Sequence, residues 1–413
     1  MKAMENRERG SAGQPQGAAM KKGWETKTLG DVCDVMNGGT PKTGVPEYWD
    51  GNHRWITPAE MGKRVSPYVS DTERKITDLG LRDSSARMLP PNSVILSSRA
   101  PIGHLVINTE PMGTNQGCKG LVPRSQIEHK FLYYYLSSIV DLLNSLGTGA
   151  TFKELSGGKL KEVTVPVPPL AEQQRIVGLL DEAFEGLATA KANAEKNLQN
   201  ARALFESHLQ SVLRSKKWKW KTLGELCDDV EYGSSAKSKK EGKIPVLRMG
   251  NIQDGQLDWE NLVYTDDKAE IKKYLLKHND VLFNRTNSPE LVGKTAIYKG
   301  EMPAIFAGYL IRIHRKEELL DADYLTYFLN SQIAFDYGKT VVISSVNQAN
   351  INGTKLKSYP IPAPSLSEQK AIVAKLNELA AETQRLAHLY ERKLAALEAL
   401  KKSLLHQAFT GAL

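Results

Sequence analysis

The sequence predicts a mixed α/β (α+β) fold: two pseudo-twofold-related modules joined by two long antiparallel coiled-coil helices. Three observations lead there. The chain repeats itself at nearly half its length. Each repeat carries short β-like runs bounded by Gly, Pro and Asn. Each then ends in a proline-rich elbow followed by a long stretch of helical periodicity.

The repeat is plain on inspection. Residues 24–34 (WETKTLGDVCD) return as 218–228 (WKWKTLGELCD), an offset of 218 − 24 = 194. Gly38-Gly-Thr40-Pro-Lys42 answers Gly233-Ser-Ser235-Ala-Lys237, and 131–138 (FLYYYLSS) answers 324–331 (YLTYFLNS). The strongest match sets PVPPLAEQQRIV, 166–177, against PAPSLSEQKAIV, 362–373. The copies agree at their ends and differ in the middle, about 45–125 against 240–320. Shared ends read as scaffold, and divergent middles as two binding faces with different targets. The expected segmentation is a polar tail at 1–19 (Met20 being a candidate native start), a module at 20–169 and a helix at 170–217. A second module at 218–365 and a second helix at 366–413 follow.

Each module opens with a short strand and a helical turn, around 29–35 and 223–230. Strand-like runs follow at 54–57, 93–96 and 104–107 in the first copy, and at 244–247, 280–283, 295–298 and 309–313 in the second. One medium helix is expected at about 128–143 and its counterpart at 321–335. A last strand then enters the elbow, where prolines stop a helix from propagating back into the module.

Beyond the elbows, Leu180, Phe184, Leu187, Lys191, Ala194, Leu198, Ala201, Phe205, His208 and Val212 alternate by four and three. Adding 196 gives Leu376, Ala380, Thr383, Ala387, Tyr390, Leu394, Leu397, Lys401, Leu404 and Ala408. Both sets form a coiled-coil seam, which Lys191 and Lys401 interrupt at different places and so help fix register. At ~1.5 Å per residue, 45 residues make a helix of roughly 65 Å, longer than one module could cover. A paired, antiparallel arrangement is expected.

Composition narrows the function. The 413 residues are 41% hydrophobic and 7% aromatic, and 55 Lys+Arg against 47 Asp+Glu give a net charge of +8. That excess permits a polyanionic partner without requiring one. No apolar run approaches the ~18–20 residues of a membrane span, so no membrane partner is expected. Three scattered cysteines argue against a disulfide framework or zinc site and for a reducing, cytoplasmic setting. Cys33 and Cys227 occupy equivalent places in the repeat and read as small buried hydrophobes.

Catalytic signatures are missing. Val292-Gly293-Lys294-Thr295 resembles the tail of a phosphate-binding loop, but Ser288 stands where the first Gly belongs and a strand follows. No Gly-x-Gly-x-x-Gly follows a strand, and no histidine pair has zinc spacing. What remains is binding chemistry: Thr40, Lys42, Lys63, Arg64, Arg99, Asn115 and Gln116 in the first module. The second offers Ser235, Lys237, Arg248, Arg285, Asn287, Asn347 and Gln348. Basic side chains suit phosphates and guanine edges, and amides suit adenine edges. The repeated Gly-x-Ser/Thr-x-Lys turn could offer backbone N–H, hydroxyl and ammonium donors to a phosphate, or be a tight turn that needs its glycine.

Tyr48-Trp49, Trp55-Ile-Thr-Pro58, Thr114-Asn-Gln-Gly117 and the twice-occurring Pro-x-Leu-x-Glu-Gln elbow resemble the specificity subunit of type I restriction–modification systems. The resemblance covers nearly the whole chain from Trp24 on. It implies two α/β target-recognition domains separated by antiparallel helices, in a subunit without catalytic activity. It also implies a bipartite, gapped double-stranded DNA target, with two adenine-N6 methyltransferase subunits and restriction/translocase subunits as partners. S-adenosylmethionine, ATP and Mg²⁺ would belong to those partners, with no cofactor bound by this chain. The competing expectation is a coiled-coil scaffold whose modules bind protein.

Overall fold

The computed structural model describes residues 21–99, 101–149, 153–215, 217–253, 255–345 and 348–413, with backbone alone at 344, 345 and 348. The chain divides into two compact units, 1–193 with 393–413, and 194–392. The division runs through both long helices, Leu170–Leu213 and Leu366–Thr410. Each unit thus owns a part of both helices.

In the first unit, strands Cys33–Asn37, Cys118–Pro123, Val94–Ser98, Ile102–Asn108 and Tyr68–Val69 lie in that order in one sheet. A second sheet has the order Arg74–Ile76, Trp49–Ile56, Gly113–Thr114. Strand Glu25–Thr28 pairs antiparallel with Thr164–Val167, which closes the module's start onto its end. The second unit repeats the plan with strands Cys227–Tyr232, Leu310–Arg315, Val281–Asn284 and Thr295–Ile297, and closes through Trp220–Thr222 against Pro360–Pro362. Val292-Gly-Lys-Thr is part of this framework: Thr295 opens a strand and Gly293 has φ +97°.

The repeated Thr-Leu-Gly-Asp/Glu is a capping box in both copies. The Thr28 amide donates to Asp31 Oδ2 at 2.9 Å, and the Thr222 amide to Glu225 Oε2 at 2.7 Å. The expected medium helices are each two helices, His129–Ser138 then Val140–Leu146, and Ala322–Leu329 then Gln332–Val341. Ile139 leaves helical geometry at ψ 19°, and the Ser331 hydroxyl accepts the Ala334 amide to start a new N-terminus.

The elbow glutamines explain the most specific motif. Gln173 is fully buried; its Oε1 accepts the Glu128 amide at 2.9 Å, while Nε2 donates to the Gln126 and Pro168 carbonyls at 2.9 and 2.8 Å. Gln369 does the same with the Asp321 amide at 2.8 Å and the Leu319 and Pro364 carbonyls at 2.8 and 2.9 Å. One amide thus ties the elbow, the start of a long helix and the loop before a short helix.

Within each unit the long helices pack against the module and each other. In the first, Ile176 and Leu180 join Leu405 and Ala408 in the core with Leu29, Phe131 and Leu160. Phe184 and Leu404 flank it. In the second, Leu209, Leu213, Val373 and Leu376 join Leu223, Tyr324 and Leu356, with Phe205 against them. Partner numbers fall as the first helix advances, so the pairing is antiparallel: Lys401 lies over the Phe184 ring, and Lys191 pairs with Glu398 at 2.8 Å. In the second unit Arg202 pairs with Glu391 at 2.7 Å. Leu187, Leu198, Tyr390, Leu394 and Leu397 are half-buried along the predicted seam. Lys191, His208 and Lys401 are exposed, and Leu209 takes the place expected of His208 because a charged or polar side chain turns outward where the stripe allows. No described helix is long and apolar enough to cross a membrane.

Candidate nucleic-acid interface

In the first module, the 38–42 turn is wedged between two other loops. The Gly38 amide donates to the Cys118 carbonyl at 3.2 Å and the Gly39 amide to the Thr114 carbonyl at 2.9 Å. A Cβ on Gly38 would overlap the Asn115 carbonyl, and one on Gly39 the backbone of Ser85 and Ala86. These glycines serve close packing, and their N–H groups are already committed, so they are not the phosphate donors the motif could have supplied. The same holds at Gly233, whose amide donates to the Leu310 carbonyl at 3.3 Å.

Around this turn the fold gathers several predicted residues. The Thr40 hydroxyl oxygen accepts from Asn115 Nδ2 at 3.2 Å and from the Gln116 amide at 3.4 Å. Asn115 Oδ1 accepts the Gly117 amide at 2.7 Å, which folds the 114–117 loop on itself. The Arg99 Cβ lies 3.6 Å from where a side chain on Gly117 would begin. Lys42 and Gln116 are exposed on this edge. Two indoles hold it from below: Trp55 Nε1 donates to the Gly39 carbonyl at 2.9 Å and Trp49 Nε1 to the Lys42 carbonyl at 3.3 Å.

Lys63 and Arg64 belong to a different set. Arg64 Nη2 donates to Glu60 at 2.5 Å and to the Asp71 carbonyl at 2.6 Å, and Glu60 is buried. Lys63 pairs with Glu73 at 3.3 Å. Arg54, Arg82 and Arg124 likewise face Asp71, Asp83 and Asp34. Among the described residues of this module, Arg74, Arg87 and Arg99 have no carboxylate partner. Arg74 and Arg87 were not singled out from the sequence, where an arginine on a short edge strand or in a loop looks like any other.

In the second module, Ser234 rather than Ser235 is the structural hydroxyl: it is buried and bonded to Glu270. Ser235 and Lys237 are exposed. Arg248 and Asn287 line one groove of about 700 Å³ with Gln253, Asn261, Lys294 and Tyr309. Arg248 Nη2 reaches the Asn261 carbonyl at 3.1 Å, and Asn287 Oδ1 accepts the Ser288 amide at 2.8 Å. Arg285 is drawn inward: Nη1 donates to the Gly308 carbonyl at 3.3 Å, Nη2 to Asn350 Oδ1 at 3.1 Å, and the guanidinium lies 4.9 Å from the Tyr232 ring. Asn347 lies outside the described residues, and for Gln348 the backbone alone is described, in strand Gln348–Asn350.

The chemistry on offer is binding. Burial pushes the Cys33 and Cys118 thiols up to about 12 and raises Cys227 as well, so none is a ready nucleophile. No cluster of His, Cys, Asp and Glu suited to a metal ion occurs among the described residues.

Comparison with known proteins gives the family. The type I restriction modification DNA specificity domain matches residues 21–198 and again 215–393. The MjaIX specificity subunit of a type I restriction enzyme from Methanocaldococcus jannaschii is 32% identical over 57% of this chain, a match spanning 59% of that relative. The StySPI specificity subunit from Salmonella potsdam is 25% identical over 95% of this chain and 90% of its own length. A chain solved in work on assembly and conformational transition of the type I R-M system superposes with a TM-score of 0.77 at 20% identity, covering 96% of this chain and 100% of that one. The HsdS subunit from Thermoanaerobacter tengcongensis gives 0.60 at 20% identity, covering 95% and 98%. These likenesses establish the fold, and the two domain matches, which take in most of the chain, establish more: this chain belongs to the family of type I restriction modification DNA specificity domains.

Proposed function

We propose that this chain is the non-catalytic specificity subunit of a type I restriction–modification complex, each module reading one half of a gapped duplex DNA target. The observation that carries the reading is the contrast between shared frame and divergent edge. The two modules share closing strands, capping boxes and elbow clamps, yet offer different polar groups at the edges built on them. Two readers on one frame suit a bipartite target whose halves differ in sequence.

On this reading Thr40, Lys42, Arg99, Asn115 and Gln116 contribute to one half-site, and Ser235, Lys237, Arg248 and Asn287 to the other. Modules reading one side of B-DNA sit about one helical turn apart, roughly 34–36 Å. The long helices set the unread gap. Two adenine-N6 methyltransferase subunits would take up the flanks and flip the target base, since chemistry inside the stack is sterically blocked. S-adenosylmethionine, ATP and Mg²⁺ act in those and the restriction subunits, in the cytoplasm.

The test is N6-methyladenine mapping in cells with and without this chain. The expected result is a gapped, asymmetric motif that loses modification when the chain is removed. A contiguous motif, or modification that persists unchanged, would reject the reading.

A further inference from the structure

Strand Trp49–Ile56 is interrupted where it pairs with Arg74–Ile76: both Trp49 and His53 register against Ile76. Asp50 takes φ 60° and Gly51 approaches the Ile76 carbonyl too closely for a side chain, an added Cβ lying 2.5 Å from it. This bulge folds the strand back on itself, so the indoles of Trp49 and Trp55 meet edge to face at 5.2 Å. The guanidinium carbon of Arg74 lies over the Trp49 ring, 3.7 Å from its centroid, and 5.6 Å from that of Trp55. Both indoles are buried, and both are anchored through their N–H groups to the 38–42 turn.

We propose that Arg74 is a preset contact to a backbone phosphate of the duplex bound by the first module. This rests on the DNA reading given above. Arg74 is exposed and faces no carboxylate among the described residues, while its neighbours Arg54 and Lys75 share Asp71 and Lys63 takes Glu73. Held against an indole and without a carboxylate, the guanidinium keeps its N–H groups for an anion, and the ring contact reduces the freedom lost on binding. A guanidinium with no carboxylate suits a phosphate, the anion that every duplex presents whatever its sequence. Exposed Lys42 lies on the turn the indoles hold, and exposed Arg87 follows the loop that packs on Gly39, so two further basic residues belong to the segments packed around that turn.

The experiment is a salt titration of DNA binding by the full-length chain, with any co-purifying subunits, on a short non-specific duplex over roughly 50–200 mM salt. Arg74→Ala should weaken binding alike on unrelated sequences and lower the slope of log affinity against log salt by about 0.9, the share of one phosphate. Its melting temperature should stay that of the parent, and Arg74→Lys, which keeps the charge, should keep the slope. An unchanged slope and affinity in Arg74→Ala, beside steep salt dependence in the parent, would overturn the proposal. So would a loss confined to one base pair of the target, which marks a base reader. A fall in melting temperature that accounts for the weakened binding marks Arg74 as merely structural. If the parent binds DNA without salt dependence, or not at all, the DNA reading itself fails.

Discussion

Arg99 and Arg285 each follow directly on equivalent strands, Val94–Ser98 and Val281–Asn284, one register position apart, because Ile95 pairs with Gly120 as Leu282 pairs with Arg312. By that register Arg285 matches Ser98, and Arg99 matches Thr286. Their fates differ accordingly. Arg285 joins Gly308, Asn350 and the Tyr232 ring, whereas Arg99 makes no side-chain hydrogen bond to a described residue. Arg285→Ala should therefore destabilise the second module by about 1–3 kcal/mol, the cost of freeing partly buried acceptors. Arg99→Ala should leave thermal unfolding unchanged and alter DNA binding at one half-site; melting curves and binding on half-site variants check both. The cysteines provide a second residue-scale outcome. With their thiols raised by burial, all three should resist maleimide at mildly alkaline pH in the native chain and react fully once it is unfolded in denaturant. Fast native labelling of any one would contradict its placement.

Among the elements, the elbow was the most readable from sequence and the structure supplies its reason. A buried glutamine amide can satisfy one N–H donor and two carbonyl acceptors at once, and no apolar residue of that size can. Replacing Gln173 or Gln369 by Ala should cost at least about 2 kcal/mol, because buried backbone groups lose their partner. Denaturant unfolding monitored separately for each unit, through a tryptophan of each module, would show whether the loss stays in the unit that carries the change. The residue before each long helix also differs. Ser365 caps its helix with Glu368 at 2.9 Å, whereas Pro169 cannot, and Glu172 instead pairs with Arg175 and Lys21. Those two cations hold the Glu172 carboxyl down at about 2. The sheets diverge in the same register position: Leu89 packs over Gly120, while Arg312 sits there with Glu231 at 2.6 Å and Asp280 at 2.9 Å.

At the scale of the whole molecule, each long helix gives one part to each unit, so the modules cannot be varied independently of the helices that carry them. Deleting one heptad from both helices, at 190–196 and 390–396, removes about 10 Å of helix. On the proposed function, the unread gap should shorten by roughly three base pairs at ~3.4 Å each, or modification should cease. Methylation mapping of the variant reads the gap directly. Retained modification with an unchanged gap would show that the helices do not set it.

The duplication, the elbows and the helical seam could all be read before any fold was known. They are short-range patterns, set by backbone geometry within a few residues or by a fixed helical period. The division of labour among the charged residues could not. Whether an arginine is free depends on which carbonyl or carboxylate the fold brings within about 3 Å, and those partners come from distant segments. Arg64 is spent on a buried glutamate, Arg285 on Gly308 and Asn350, and Arg74 is raised on two indoles that meet through a bulge. The split of the expected medium helices at Ile139 and Ser331 has the same origin, since packing and capping overrode a pattern that alone allowed one longer helix.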